Sequence, residues 1–183
     1  MFNEPLPFSL VQIKLNKFDK TESYTRVFIF KFYRHNHRCC MKYIVLIKEY
    51  NSEYLTLDFY PKINLTTKRF SSDSLQDLRY RMLTRQNSIG YIGATLLKIM
   101  RKVQTYTGIN IWGFLAASLP DETTNYNNKR FQLYNQILAR TYNINYTVFG
   151  IKDKCVIIVI PNNQLAFKSS IGKNYEKIFS ETN

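Results

Sequence analysis

A glycine-containing segment in the middle of the chain is the first feature whose residue types could support chemistry. Its sequence is Arg85-Gln86-Asn87-Ser88-Ile89-Gly90-Tyr91-Ile92-Gly93-Ala94, and a helical pattern of apolar residues follows directly. The start of a helix presents unpaired backbone N–H groups and a partial positive charge to an anion, and glycine leaves that backbone accessible. The segment could therefore bind a phosphate-containing ligand. Alternatively, its glycines allow a helix to pack closely on a sheet.

Histidine and cysteine are concentrated in a second segment. His35, His37 and Cys39 alternate, so on a strand their side chains would share one face, with Cys40 beside them. Imidazole nitrogen and thiolate sulfur are ligands that zinc prefers. The sequence supplies no second pair of ligands elsewhere, and both histidines fall between two strand patterns. We therefore interpret this segment as a surface turn and expect no metal site.

No serine or cysteine stands in a pattern typical of a covalent catalyst. The sequence lacks a recognisable nucleophile elbow and any HExxH, Walker or kinase motif. Cys155 begins the apolar run CVIIVI, which is typical of a small buried hydrophobic residue. Three cysteines, two of them adjacent, do not form a disulfide framework, so we expect a reducing compartment.

Basic residues dominate the charge of this chain. The formal net charge is +13, which attracts anionic partners. Between residues 61 and 110 there are nine basic residues against two acidic ones, an excess of seven: Lys62, Lys68, Arg69, Arg79, Arg81, Arg85, Lys98, Arg101 and Lys102 against Asp73 and Asp77. This distribution predicts a contiguous basic patch that includes Arg79, Arg81, Arg85, Lys98 and Arg101. Such a patch could bind nucleic acid or an acidic protein; the alternative is a solvated face that maintains solubility.

Aromatic residues lie among basic ones in two further segments, residues 26–34 and 129–134. Aromatic rings could stack on bases while neighbouring Lys and Arg side chains contact phosphates. The sequence contains no signature of an RNA-binding sheet, and any sheet needs aromatic residues for its core. Nucleic-acid binding is therefore the alternative function that we carry forward.

The first third of the chain predicts strands. Residues 9–15 alternate between polar and apolar types, as expected for a half-buried strand. Residues 26–33, 41–50 and 54–60 are rich in aromatic and β-branched residues and are separated by polar turns. We expect a meander of three strands here, with the last strand ended by Pro61.

The rest of the chain alternates helices and strands. Apolar residues at helical spacing predict a short helix around residues 75–82, a long helix over 92–106 capped by Gly108, and a helix over 129–142. Residues 109–117 are nearly all apolar, which predicts a central strand covered on both faces. A hairpin of residues 146–151 and 155–160 follows, and a last helix is predicted near 173–179.

This order of elements resembles that of the GNAT superfamily of acyl-CoA-dependent N-acyltransferases, which have strands, a glycine-opened helix, a strand, a helix with an L-Y pair and a final hairpin. The glycine segment is similar to the family's Q/R-x-x-G-x-G/A turn followed by a Leu-Leu pair, here Leu96-Leu97. In this chain Tyr91 stands at the family's earlier glycine and Ser88 at its Gln or Arg. The resemblance implies that backbone N–H groups of the turn bind the cofactor pyrophosphate, with cofactor-binding residues Arg85, Gln86, Ser88, Gly90, Gly93 and Ala94.

A second motif extends the resemblance to the late helix. Asn127 stands seven residues before Tyr134, and Leu133-Tyr134 is similar to the family's L/F-Y pair. The resemblance implies that Asn127 lies near the cofactor and that Tyr134 is the acid that protonates the departing thiolate. A tyrosine hydroxyl suits this role because it stays protonated near neutral pH. Core packing is the alternative role of Tyr134, which lies on the apolar stripe of its helix.

The resemblance covers roughly residues 40–160 and departs from the family in two places. Leu138-Ala139 stands where the family has Gly-Phe, and residues 61–87 are a longer connection than usual. The segment Asn128-Lys129-Arg130-Phe131 is also similar to uncharacterised bacterial proteins of GNAT-like shape.

Together these features predict an α/β protein of the α+β class. We expect a single GNAT-like domain over residues 1–165, with a mixed, mostly antiparallel sheet and helices packed on its faces, and a C-terminal tail over 166–183 that includes a short helix. The expected ligand is acetyl-CoA or another acyl-CoA, and the acceptor amine is unknown. The longest apolar run, residues 155–161, is far shorter than the roughly 20 residues that span a bilayer. We expect no transmembrane helix, no secretory signal and a cytoplasmic location.

Overall fold

Seven strands and three α-helices form the part of the chain that the structure describes. The computed structural model describes residues 4–16, 24–35, 40–62, 89–116, 128–142 and 144–180. The strands are β1 (Phe8–Leu15), β2 (Arg26–His35), β3 (Cys40–Tyr50), β4 (Tyr54–Lys62), β5 (Trp112–Leu115), β6 (Tyr146–Ile151) and β7 (Val156–Pro161). The helices are α1 (Ile89–Thr107), α2 (Lys129–Thr141) and α3 (Lys168–Ser180). Among these described helices, none combines the length and the apolar character needed to span a bilayer.

The strands form one mixed sheet. Their order is β1-β2-β3-β4-β5-β7-β6. β1 is antiparallel to β2, and β7 is antiparallel to both β5 and β6. β4 and β5 are parallel neighbours, and α1 lies in the long connection that a parallel pair requires. The α+β class and the mostly antiparallel sheet are therefore confirmed.

Two compact units can be distinguished along the chain. The first unit comprises Met1–Leu15, Arg26–Ile47 and Asp58–Gly108, and the second comprises Asn16–Thr25, Lys48–Leu57 and Ile109–Asn183. The second unit extends across residue 165, where the sequence analysis placed the end of the domain. The predicted short helix at residues 75–82 lies outside the described residues.

In the first unit, α1 packs on an apolar sheet face. Phe28, Phe30 and Phe32 alternate along β2 and are buried, and the Phe32 ring stacks on Tyr43 of β3 at 4.9 Å between centroids. The buried residues of α1 recur at helical spacing: Ile92, Leu97, Ile99, Met100 and Val103. Gly108 ends the helix with a positive φ of 74°, and its N–H donates to the carbonyl of Gln104. The predicted helix and its cap are confirmed.

Two details of the first unit differ from the sequence predictions. The apolar pattern of the predicted helix extended to Tyr106, which is 65% exposed; it lies in the last turn of α1, where its ring meets that of Phe28 in an edge-type contact. β4 was expected to end before Pro61 but continues to Lys62. Proline fits a strand position at which no ladder bond is required from its nitrogen.

In the second unit, helices cover both faces of the β5-β7-β6 ladder. Val156, Ile158 and Ile160 project from β7 toward α3 and form a core cluster with Ile171, Tyr175 and Ile178. On the opposite face, Phe131 of α2 lies against Gly150 of β6. Alternate residues of the three strands therefore face different helices, which explains why β7 is buried along almost its whole length.

The closest approach in the second unit joins Gly113 of β5 to Tyr175 of α3. Tyr175 is fully buried, and its hydroxyl donates to the carbonyl of Leu55 at 2.9 Å. A Cβ atom added at Gly113 would overlap the Tyr175 ring. Burial raises the pKa of the Tyr175 phenol well above its usual value, so the hydroxyl stays a donor. Only glycine at position 113 permits this packing.

The C-terminal helix is more integral to the structure than the sequence suggested. A short helix in a weakly ordered tail was expected near residues 173–179, whereas α3 begins at Lys168 and has 13 residues. Ile171, Gly172, Tyr175 and Ile178 are buried along one stripe. The stripe has helical spacing, but the polar residues around it dilute the pattern in the sequence.

Candidate functional site

Only part of the predicted cofactor-binding set lies in the described residues. Gly90, Gly93 and Ala94 lie in the first two turns of α1. The other four predicted cofactor residues, Arg85, Gln86, Ser88 and Asn127, lie outside the described residues, as do Arg79 and Arg81 of the predicted basic patch. The site is therefore built below from α1 in the first unit and from α2 and β5 in the second, each taken by itself.

The start of α1 determines which glycine can offer a backbone donor. Because the helix begins at Ile89, Gly90 is its second residue and lies in the first turn, where N–H groups lack a carbonyl partner within the helix. Gly93 and Ala94 are the fifth and sixth residues, so their N–H groups bond to the carbonyls one turn earlier. Gly93 can therefore contribute only close access to the helix backbone, whereas Gly90 can contribute a donor.

Neighbouring groups hold the start of α1 in place. Thr95 is fully buried; its hydroxyl donates to the carbonyl of Tyr91 at 2.7 Å and accepts from the N–H of Leu6 at 2.9 Å. The guanidinium of Arg34 lies 5.8 Å from the centre of the Tyr91 ring. The first turns of α1 thus have a fixed backbone and a cation nearby, an arrangement that favours a negatively charged ligand.

Tyr134 lies on the inward face of α2. It is half-buried and stands one turn after Phe131, which packs on β6, and one turn before the buried Leu138. Tyr134 also has interaction partners of its own. Its position agrees with core packing and equally leaves part of the side chain open to a ligand, so the predicted catalytic role stays a prediction.

Asn128, next to the predicted Asn127, positions α2. Its Oδ1 accepts from the backbone N–H of Phe131 at 2.7 Å, which makes it the N-cap, and its Nδ2 donates to the carbonyl of Ala116 at 2.6 Å. Asn128 is 5% exposed. One side chain therefore joins the start of α2 to the end of β5. An asparagine directly before a helical stripe is a typical N-cap, so the sequence contained this signal.

Substitutions at Asn128 should separate the contributions that its two hydrogen bonds make to the free energy of unfolding. We expect Asn128→Ser to keep the cap but lose the bond to Ala116, at a cost of about 1–2 kcal/mol, because a buried carbonyl is left unpaired. Asn128→Ala should lose both and cost about 1 kcal/mol more. Chemical denaturation measures both values. Equal stability of the serine variant and the wild type would contradict the role of the bond to Ala116.

Two buried polar atoms lie on the same side of the second unit as Tyr134. Trp112 and Phe114 project from β5 to the face opposite Gly113 and Tyr175, which is the face that α2 covers. Within the described part of the chain, the indole nitrogen of Trp112 and the side-chain oxygen of Asn135 are buried without a hydrogen-bond partner. A donor and an acceptor of this kind can bind a polar ligand or ordered water. The sequence analysis did not identify either residue.

The β4–β5 ladder lies next to Trp112. It consists of the pairs Leu55–Trp112 and Thr56–Gly113, both within the second unit. On its other side, β5 pairs with β7 over all four of its residues. Trp112 is therefore held between a parallel neighbour on one side and an antiparallel neighbour on the other.

The histidine and cysteine segment supplies no metal centre in the described residues. Cys40 Sγ lies 3.7 Å from His35 Nε2, and both side chains are exposed. His37 and Cys39 lie outside the described residues. Among the residues that the structure describes, no three potential ligands come together. Cys155 is buried as predicted, at 2% exposure.

The described part of the predicted basic patch lies on α1. Lys98, Arg101 and Lys102 are exposed, and the Lys102 ammonium lies 5.8 Å from the centre of the Phe8 ring. These three cations share the solvent side of the helix, opposite its buried stripe.

Comparisons with protein-family models, with curated proteins and with solved structures found no significant match for this chain.

Proposed function

We propose that this chain is a GNAT-like protein that transfers an acyl group from acyl-CoA to an amine. The observation that carries the proposal is the parallel pairing of β4 with β5 in a sheet whose β1–β2, β5–β7 and β6–β7 ladders are antiparallel. It occurs with α1 in the connection between the two strands, and α2 and the β6–β7 hairpin follow in the order of the family. Fold alone does not establish chemistry, so the residues must support it separately.

The proposed pyrophosphate contact is the first turn of α1. Gly90 offers a backbone donor, Gly93 and Ala94 keep the helix surface small, and Arg34 adds positive charge near Tyr91. Arg85, Gln86, Ser88 and Asn127 complete the proposed cofactor-binding set. A helix start with a nearby cation provides both hydrogen bonds and a favourable potential for a diphosphate.

The proposed proton donor is Tyr134. Attack of a neutral amine nitrogen on the thioester carbonyl forms the C–N bond of the amide and breaks the C–S bond. The departing CoA thiolate would take a proton from the Tyr134 hydroxyl, and the proton that the nitrogen loses would restore the phenol through water.

Calorimetry with acetyl-CoA tests the cofactor contact. We expect micromolar binding by the wild type and binding at least about tenfold weaker by Gly93→Glu, because glutamate adds bulk and negative charge close to the proposed phosphate site. Thr105→Glu is the matched control, since it adds the same charge to the other end of α1 at an exposed position.

Two outcomes would contradict the cofactor assignment. One is the absence of acetyl-CoA binding by the folded wild type. The other is an equal loss of affinity in Gly93→Glu and Thr105→Glu, because a uniform charge effect would not locate the ligand at the helix start.

The second candidate function is a basic binding module without catalysis. The exposed run of Lys98, Arg101 and Lys102 on α1 favours it, because three neighbouring cations attract nucleic acid or an acidic protein surface. Binding of nucleic acid through this face would weaken steeply with added salt, since contacts to phosphates release counterions. Salt-sensitive nucleic-acid binding without acetyl-CoA binding would favour this candidate over acyl transfer.

A further inference from the structure

β1 is an edge strand with an unusual amount of exposed apolar surface. It is the first strand in the sheet order, so β2 is its single neighbour among the described strands. Seven of its eight residues are exposed, and the large apolar ones are Leu10 at 41%, Val11 at 52%, Ile13 at 38% and Leu15 at 56%. The sequence predicted a half-buried strand over residues 9–15; the strand is present, but all seven of these residues are exposed. An edge of this kind presents unpaired backbone groups that another strand can complete.

A bulge determines which side chains of β1 share a face. Leu10 pairs with Phe30, Gln12 pairs with Ile29, and Val11 is the extra residue between them. On the α1 side of the sheet the bulge therefore places four apolar residues opposite the even-numbered residues of β2: Phe8, Leu10, Ile13 and Leu15. Ser9, Gln12 and Lys14 lie on the other face.

We propose that β1 pairs with β1 of a second copy of this chain, antiparallel and about a two-fold axis between Val11 and Gln12. In this register Leu10 lies opposite Ile13 of the partner copy, and Phe8 lies opposite Leu15. Each of these pairs joins side chains on the same face of the sheet. The extra residue of the bulge is the reason, because it places Leu10 and Ile13 on one face although they are three residues apart. In a regular strand, residues three apart point to opposite faces, and this register would not be allowed.

The same register satisfies the backbone. In the β1–β2 ladder Leu10 pairs with Phe30, and Ile13 pairs with Phe28. Phe28 and Phe30 are two residues apart on β2, so their backbone N–H and C=O groups point to the same side of the strand. Leu10 and Ile13 therefore also share one hydrogen-bonding direction, toward β2 or away from it. In an antiparallel pair, the two opposed residues must both point their N–H and C=O groups toward the other strand or both point them away. The two-fold register meets this condition at every pair outside the bulge.

The charges of β1 favour a second copy in this register. Lys14 is the one charged residue of the strand, and the two-fold places it opposite Ser9 rather than opposite the partner's lysine. Like charges directly opposite one another destabilise a strand pair, whereas apolar cross-strand pairs stabilise it. The net charge of +13 on each copy opposes association at long range, so added salt should strengthen the dimer.

Analytical ultracentrifugation of the full chain tests the proposal. We expect a concentration-dependent dimer that becomes tighter as salt is raised. Leu10→Lys should weaken it by at least about tenfold, because the two-fold axis makes one substitution disrupt two Leu10–Ile13 pairs. The matched control is Leu165→Lys, which replaces a leucine of nearly equal exposure, 40% against 41%, in the second unit. It should leave the dimer unchanged.

A charge-swap experiment tests the register and does not depend on the stability of one variant. One chain carries Leu10→Lys with Ile13→Lys, and the other carries Leu10→Glu with Ile13→Glu. Each alone should be monomeric, and an equimolar mixture should form a heterodimer, since position 10 then faces position 13 of opposite charge. A wild type that stays monomeric over the concentration range would overturn the proposal. So would a dimer that Leu10→Lys and Leu165→Lys affect equally, or a mixture that does not associate.

Discussion

Gly113→Ala is expected to destabilise the protein by about 2–4 kcal/mol. The added methyl group would overlap the ring of Tyr175, which is fully buried and cannot move into solvent. Overpacking of a buried site costs about 1–3 kcal/mol. Displacement of the ring would also weaken the hydrogen bond from the Tyr175 hydroxyl to Leu55, worth about 1 kcal/mol. Thermal and chemical unfolding measure the change.

Gly172→Ala is the matched control and should have the opposite sign. A Cβ atom there would lie 3.8 Å from Ile151 Cδ1 and 4.0 Å from Phe149 Cε2, which are ordinary contact distances. Gly172 lies within α3, where alanine is favoured over glycine by about 0.5–1 kcal/mol. The same glycine-to-alanine change should therefore stabilise the protein at position 172 and destabilise it at position 113.

A double-mutant cycle identifies the cause of the Gly113→Ala effect. Tyr175→Leu shortens the side chain that occupies the space next to Gly113, so Gly113→Ala should cost clearly less in that background. An equal cost in both backgrounds would show that the loss arises from the strand itself rather than from the contact with Tyr175.

Tyr134→Phe should lower the rate of acyl transfer by about 100-fold while leaving the affinity for acetyl-CoA unchanged. The substitution removes one hydroxyl group and keeps the ring that packs between Phe131 and Leu138 along α2. Loss of a positioned proton donor typically costs about 10²–10⁴ in rate. The measurement is release of CoA thiol in the presence of candidate amines, with calorimetry for the affinity.

Tyr106→Phe is the control for this experiment. It removes the same hydroxyl group from a tyrosine that is 65% exposed at the end of α1, so activity and affinity should not change. Wild-type rates in Tyr134→Phe would contradict its role as the acid and would leave core packing as its function. A parallel loss of stability and rate would also contradict it, because the effect would then be structural.

Several elements of the fold could be read from local patterns. The apolar stripe of α1 has helical spacing over 19 residues. The runs of β2, β3 and β7 are rich in β-branched or aromatic residues, and their short lengths favour strands over helices. The parallel direction of β4 and β5 was not predicted from the sequence, although the helix-containing connection between the two strands permits it.

The candidate site was less accessible to this reasoning, because its groups derive their properties from partners far away in the chain. Trp112 reads as an apolar strand residue, and only its surroundings show that the indole nitrogen is buried without a partner in the described structure. Asn128 was overlooked in favour of Asn127, although its side chain caps α2 and bonds to the carbonyl of Ala116. Gly93 has the expected spacing, yet the start of α1 at Ile89 leaves Gly90 as the available donor.

The sequence by itself determined the types and order of the described elements and the positive charge of the chain, because each of these depends on local pattern or composition. Tertiary structure alone decided the fit of Tyr175 against Gly113, 62 positions apart, the exposure of Tyr106 and the open edge of β1. The same apolar alternation describes a buried strand and an edge strand, since periodicity records which residues share a face and not what covers that face. The burial of a side chain depends on the residues packed around it, and the whole fold determines which residues those are.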